Sequence, residues 1–273
     1  MEGSTAGPDP VTKASENKAP ERKGWEQREL VTVGISAMIY RISEDRIIKI
    51  PKVRTKDEDC FEYWNEMCRD ELQREKAAVE RLASHPHIIQ CFGISDPVDG
   101  IKLEYAFANQ GSAGEMIRQK KPPPPLDLRK EWFWSLADAL NHVHSRRVFH
   151  GDVHLLNVLM HNDAVMLCDF GQSDLLPLDT DMASWKSEGD ETVQVEMLLL
   201  GYVFYSIMVW KETRYDWWDT KTFPEAGDRP ILNGVPYAAV IHKCWTGGCR
   251  SMDDLRSEVF KTGDDELLCT PGS

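Results

Sequence analysis

HGDVHLLNVL at 150–159 and LCDFG at 167–171 are the two stretches whose reading decides the fold. Asp152 and Asn157 stand five residues apart, and Asp169 follows 12 residues after Asn157. Between them the turn-formers His161-Asn162-Asp163 are flanked by β-prone stretches at 157–160 and 164–168, which predicts a tight hairpin. Such a hairpin sets Asn157 and Asp169 side by side. Two hard oxygen donors at one edge, with room left for phosphate oxygens and water, are what Mg²⁺ requires. Asp152 then lies close by, able to take a proton from an attacking hydroxyl.

Upstream of this pair, short β-prone segments at 31–34, 38–42 and 46–50 read as an antiparallel meander. An amphipathic helix is expected over 61–82, closed by His85-Pro86, with further strands at 88–92 and 100–105. Leu72, Glu75, Val79 and Leu82 share one face of that helix, and a Glu on an apolar stripe calls for a partner because burying it alone is costly. Downstream the texture is helical. Four prolines at 122–125 precede a helix over 126–145 that carries Trp132, Leu136, Ala139 and Val143 at helical spacing. The apolar run MLLLGYVFYSIMVW at 197–210 is too short to span a bilayer, which takes about 20 residues, so it belongs at the centre of a large core. Strands first and helices second, joined near 105–111, predict a two-lobed α+β protein.

The net charge of −13 excludes the Lys/Arg surplus that nucleic acid or an anionic membrane surface would need. Seven cysteines form neither a C-x-x-C pair nor a zinc spacing and fit reduced thiols. Residues 1–27 are polar and rich in Pro, Gly and Ser, and are expected to form a disordered tail. No secretory leader is read there and no transmembrane segment elsewhere, so a cytoplasmic or nuclear location is expected.

The two motifs together resemble those of protein kinases. His150…Asp152…Asn157 is similar to the H-R-D-x-x-x-x-N catalytic loop, and Asp169-Phe170-Gly171 to the D-F-G metal motif. The resemblance implies a protein-kinase-like fold: a small antiparallel-sheet N-lobe with one long helix (28–106) and a mainly helical C-lobe (107–266), followed by a tail at 267–273. It implies ATP and Mg²⁺, with Asp152 as catalytic base and Asn157 and Asp169 as metal ligands. Lys49 resembles the strand-three lysine that pairs the phosphates, with Lys52 as alternative. Glu75 would be that lysine's partner, with Glu71 as alternative. Leu103-Glu104-Tyr105-Ala106 resembles the hinge: main-chain groups of Glu104 and Ala106 would hold adenine, and Leu103 would be the gatekeeper. Cys168 would line the nucleotide pocket. Glu196 with Gly201 resembles the central-helix D-x-x-x-x-G, and Cys244-Trp245 the Cys-Trp of a late helix. The general style is that of small, divergent fungal protein kinases. A monomer phosphorylating a protein hydroxyl, on Ser or Thr, is expected.

Several positions depart from the family pattern. The G-x-G-x-x-G positions read Thr32, Gly34 and Ala37, so the phosphate loop keeps one glycine. Gly151 replaces the Arg that would receive a phosphorylated activation loop. No A-P-E lies between Asp169 and Glu196. His154 stands where a Lys is usual, and a protonated ring could take over its work on the transferring phosphoryl, which would raise activity as pH falls. These departures keep two other readings open: a pseudokinase scaffold, and a small-molecule phosphotransferase of the aminoglycoside or choline kinase type, whose catalytic loop His-Gly-Asp-x-His-x-x-Asn resembles.

Overall fold

The computed structural model describes residues 28–95 and 102–268. The expected tail at 1–27, the start of the fifth strand and residues 269–273 lie outside the described residues. Strands β1 (Leu30–Val33), β2 (Ala37–Arg41), β3 (Arg46–Pro51), β4 (Cys91–Ser95) and β5 (Lys102–Ala106) form one sheet in the order β1-β2-β3-β5-β4. Every pairing in it is antiparallel. Helix α1 (Phe61–Leu82) packs beside this sheet.

β1, β2 and β3 lie within one residue of the expected spans, and β4 and β5 differ for reasons the pairing shows. β4 begins three residues later than expected, because Ile88 and Ile89 bridge to Leu167 in the other lobe before the chain joins the sheet. β5 runs one residue further, to Ala106, since Arg46 of β3 pairs it there.

The helical lobe holds α2 (Ala113–Arg118), α3 (Leu126–Ser145), α4 (Val193–Val209), α5 (Trp217–Thr220), α6 (Ala238–Thr246) and α7 (Met252–Leu268). Helix α7 continues two residues past the expected domain end at 266. Strand β6 (Val148–Phe149) pairs with β9 (Asp174–Leu175), and β7 (Val158–His161) with β8 (Ala164–Leu167). Asn162 and Asp163 turn the latter hairpin with φ of 49° and 65°, the left-handed pair of a two-residue turn that Asn and Asp tolerate. Trp132 Nε1 donates to Asp163 O at 2.6 Å and ties that tip to α3.

Two apolar clusters form the interior. The smaller joins Ala37, Ile47, Leu72, Ile89, Leu103 and Tyr105 under the sheet. The larger is centred on α3 and α4 and reaches up to Ala78, Leu82 and Ile88. Helix α1 therefore belongs to both cores, with Leu72 in one, Ala78 and Leu82 in the other, and Glu75 between them. Helix α4 is buried over most of its surface, as its largely apolar composition demands. No helix of the described residues is long and apolar enough to cross a membrane.

Candidate active site

Lys49 sits in the middle of β3 and is 7% exposed. Its Nζ lies 2.7 Å from Glu75 Oε2 and 2.9 Å from Asp169 Oδ1. Burial alone would lower the Lys49 pKa, but the Glu75 and Asp169 carboxylates outweigh it and push the pKa up. The lysine is thus a fixed cation. Burial works against the Asp169 carboxylate, yet the Lys49 ammonium and the Gly171 N–H hold its pKa below the usual range. Of the two alternatives, Lys52 bonds Ser36 O through its main-chain N–H, and Glu71 accepts from Gln172 Nε2 at 2.8 Å. Glu75 is the carboxylate that meets the lysine.

The loop between β6 and β7 carries the second group. His150 is fully buried, its Nδ1 accepts the Asp152 N–H at 3.2 Å and its Nε2 faces Cys168 O at 3.1 Å. Gly151 N donates at 2.9 Å to Glu196 Oε1 on α4, and the other oxygen of Glu196 pairs with His144 Nε2. Burial would raise the Glu196 pKa, but His144, His150 and the Gly151 N–H bring it down, so a buried carboxylate on the central helix fixes the loop. Gly151 has φ 79°, and a Cβ there would collide with Gln172 O. The arginine that the family pattern puts at this position has no room, because the chain after Asp169 lies directly on the loop.

Asn157 Nδ2 donates to Asp152 O at 2.9 Å and to Asp152 Oδ2 at 3.0 Å. Cys168 N donates to Asn157 O at 3.0 Å, which brings Asn157 beside Asp169. Asp169 adopts φ 64°, a conformation sparsely used by non-glycine residues and concentrated at functional sites. Its Oδ1 takes Lys49 and the Gly171 N–H, while Oδ2 has neither bond. The amide oxygen of Asn157 and Oδ2 of Asp169 are therefore the oxygens left over. One ionised carboxylate oxygen and one amide oxygen form a hard donor pair that fits Mg²⁺, a cation that keeps several waters and takes further oxygens from phosphates. Among the described residues no group of three or more His, Cys, Asp or Glu is placed to hold a metal by itself.

At the adenine end, the expected hinge residues Leu103–Ala106 all lie within β5. Leu103 pairs across the ladder with Lys49, and Tyr105 with Ile47. Glu104 is held in the sheet between Ile48 and Gly93, and the Ala106 N–H donates to Gln90 O. The ladder claims both residues expected to offer main-chain groups to adenine, and the chain leaves the sheet only at Phe107. The side chain reaching behind the lysine is that of Tyr105, whose hydroxyl donates to Glu75 Oε1 at 2.7 Å. Leu103 is buried in the same small core and stands opposite Lys49 in the ladder. The signal for Tyr105 was present in the sequence as the i, i+2 alternation with Leu103.

Gly34 lies in a three-residue connection between β1 and β2, with its N–H on Ala37 O at 2.9 Å. Ala37 opens β2 and is buried in the small core. Cys168 flanks that core, and burial, reinforced by Asp169, pushes its thiol well above the usual range. It is a filler rather than a nucleophile. Late in the chain Gly201 meets the Cys-Trp pair directly: a Cβ on it would lie 2.6 Å from Cys244 Cβ and 3.0 Å from the Trp245 ring.

A five-stranded sheet with one helix above, a helical lobe below and a lysine–carboxylate–aspartate link across the cleft define a two-lobed α+β protein of the eukaryotic kinase class. A family model described as the protein kinase domain matches residues 32–191, and the chain belongs to that family. It is 26% identical over 244 residues to a protein of Dictyostelium discoideum named probable LIM domain-containing serine/threonine-protein kinase, covering 80% of this chain and 24% of that one. A second Dictyostelium protein of the same description is 25% identical over 244 residues, 80% of this chain and 36% of its own length. Mouse serine/threonine-protein kinase Nek3 is 35% identical over 109 residues, 39% of this chain and 21% of that one. The chain thus spans well under half the length of these relatives.

Proposed function

We propose that this chain is a working protein kinase that transfers the γ-phosphoryl group of Mg-ATP to a protein hydroxyl, on Ser or Thr. The observation that carries the proposal is the closed link Glu75–Lys49–Asp169. A buried ammonium held by a helix carboxylate on one side and a metal-motif carboxylate on the other is assembled for use. The serine/threonine names of the relatives support the acceptor class.

In this reading Lys49 neutralises phosphate charge, and Asn157 and Asp169 hold Mg²⁺, which when bound screens the phosphates and orients them. Asp152 accepts the proton of the acceptor hydroxyl as its oxygen bonds to the γ-phosphorus and the bond from that phosphorus to the bridging oxygen of ADP breaks. A cleft of about 520 Å³ opens beside Asp152, lined among others by Arg118, Leu199, Tyr202, Glu212, Arg214 and Trp217, and gives an acceptor chain room to approach.

The test is thermal shift with Mg-ATP on wild type and Asp169→Asn. Ligand at 100 times Kd stabilises by about 2.7 kcal/mol, or roughly 5–10 °C for a domain of this size. A magnesium-dependent shift lost in the variant, together with ³²P transfer to casein, is the expected result. The short β1–β2 connection with its single glycine favours a second reading, a scaffold without catalysis. Absence of any shift at millimolar Mg-ATP would select that reading.

A further inference from the structure

Arg118, Lys120 and Lys121 close the short helix α2, and Lys211 and Arg214 follow the end of α4. All five are exposed. Trp210 Nε1 donates to Lys121 O at 2.8 Å. Arg118 donates to Glu212 through Nε at 2.8 Å and Nη2 at 2.7 Å. Arg129 of α3 braces the same join, donating to Pro124 O at 3.1 Å and to Ile207 O at 3.3 Å. The two basic segments are therefore held side by side by the fold.

In a chain of net charge −13, these five cations gather around one carboxylate, Glu212. Arg118 forks it in the bidentate geometry and holds its pKa below the usual range. Arg214 comes within 3.3 Å of Glu212 Oε1 yet stays 74% exposed. Lys120, Lys121 and Lys211 make no ion pair among the described residues. Glu115, the other acid near Arg118, is turned to the start of α2, where it accepts the Ser112 N–H at 2.9 Å. The negative end of α4 favours a cation within its last turn, which explains Lys211 but not Arg214, four residues beyond Trp210.

Arg118, Glu212 and Arg214 line the cleft that opens beside Asp152. The acids of that cleft already have donors. Asn157 Nδ2 meets Asp152 Oδ2 at 3.0 Å, the Asp219 N–H meets Asp216 at 3.1 Å, and Arg118 holds Glu212. His154 lines the cleft too, its Nδ1 accepting the Leu156 N–H at 3.2 Å. The charges left over at the cleft edge are positive.

We infer that this cleft selects acceptor chains carrying an acidic side chain, Asp or Glu, close to the hydroxyl to be phosphorylated, and that Arg214 with Lys120, Lys121 and Lys211 meets that carboxylate. The inference rests on the kinase reading and names its acceptor class. Opposite charges at a solvated edge steer the encounter and choose the partner more than they add affinity, and salt weakens them.

The test uses the full chain with Mg-ATP and peptides that hold one Ser in an Ala-Gly host, with Glu, Arg or Ala placed in turn on either side. At a fixed offset Glu is expected to raise kcat/KM about tenfold over Ala, chiefly through KM for the peptide, and Arg to lower it. The preference should fade as salt rises. Lys211→Glu combined with Arg214→Glu should prefer Arg at the same offset while keeping the Mg-ATP thermal shift. A wild type that prefers Arg, a wild type indifferent to charge, or a Glu preference that survives the reversal would overturn the inference. A second readout is independent of turnover: dye-labelled peptides with Ala in place of Ser, followed by fluorescence anisotropy. The Glu peptide should bind wild type about tenfold more tightly than the Arg peptide, and the reversed variant should invert the order. Peptides that bind in this order while none receives phosphate would end the kinase reading alone. Equal binding of the two, or binding of neither, would end this inference.

Discussion

Glu75 is fully buried beside Lys49, and burial raises its pKa although the lysine opposes the rise. Such a carboxylate depends on every donor it has. Tyr105→Phe removes one donor without changing shape, and a hydrogen bond to a charged group contributes about 1.5–3 kcal/mol. The variant should melt about 3–12 °C lower by calorimetry, with the Lys49 contact intact. An unchanged melting temperature would mean that the hydroxyl does not serve Glu75. Gly34→Ala should behave in the opposite way. Gly34 has no positive φ, and a Cβ on it would meet only Ala37 O at an ordinary 3.5 Å. Stability is expected to hold or rise by about 0.4–1 kcal/mol, whereas Mg-ATP affinity measured by calorimetric titration should fall several-fold, because the methyl group would face the phosphates. Equal affinity in the two proteins would show that nucleotide does not use this loop.

Helices were the most legible elements. The spans expected for α1 and α3 match those observed, because each combines an unbroken apolar stripe with a definite stop or start signal. Strand ends were less legible. Ile88 and Ile89 look like strand residues, but the Ile89 N–H donates to Leu167 O and the Leu167 N–H to His87 O, bridging Ile88 to Leu167 across the lobe boundary, a tertiary choice that local pattern does not encode. The same holds for β5, where pairing with Arg46 and Gln90 extends the strand over the residues assigned to the hinge. Within the site, the residue types of Lys49, Glu75, Asp152, Asn157 and Asp169 could be read from motif spacing. The contacts of His154 and the crowding at Gly151 could not, because both arise where the chain folds back on itself. Gly201 tests this packing level. The collision partner of its missing Cβ is Cys244 Cβ, which no rotamer change can move, so α4 and α6 would have to separate. Overpacking costs about 1–3 kcal/mol, and the better helix propensity of Ala returns up to about 1 kcal/mol. Gly201→Ala should therefore lower the melting temperature by a few degrees. Combining it with Cys244→Gly should recover part of that loss relative to additivity, and strict additivity would mean that the helices do not touch there.

Folding gathers carboxylates from distant parts of an acidic chain around one cleft, and each needs a cation or an N–H. Asp169 has Lys49, and Glu196 has His144 and the Gly151 N–H. Glu191 fares worse. Its main chain is bonded to Ser187, but burial, and then the fields of Glu196, Asp174 and Asp152, raise its carboxyl to about 7 against one opposing lysine, Lys221. Between the unfolded value of 4.5 and about 7, the folded state holds a proton that the unfolded chain has released. Stability from this group therefore falls as pH rises through that window, and the whole cost is present above it. Glu191→Gln removes the charge and keeps the size. It should melt at nearly the wild-type temperature at pH 4.5, and higher than wild type at pH 8 by about 2–4 °C, on the order of 1 kcal/mol. A gain that is the same at both pH values would assign the effect to packing, and a loss at pH 8 would mean that the carboxylate has a partner that stabilises it.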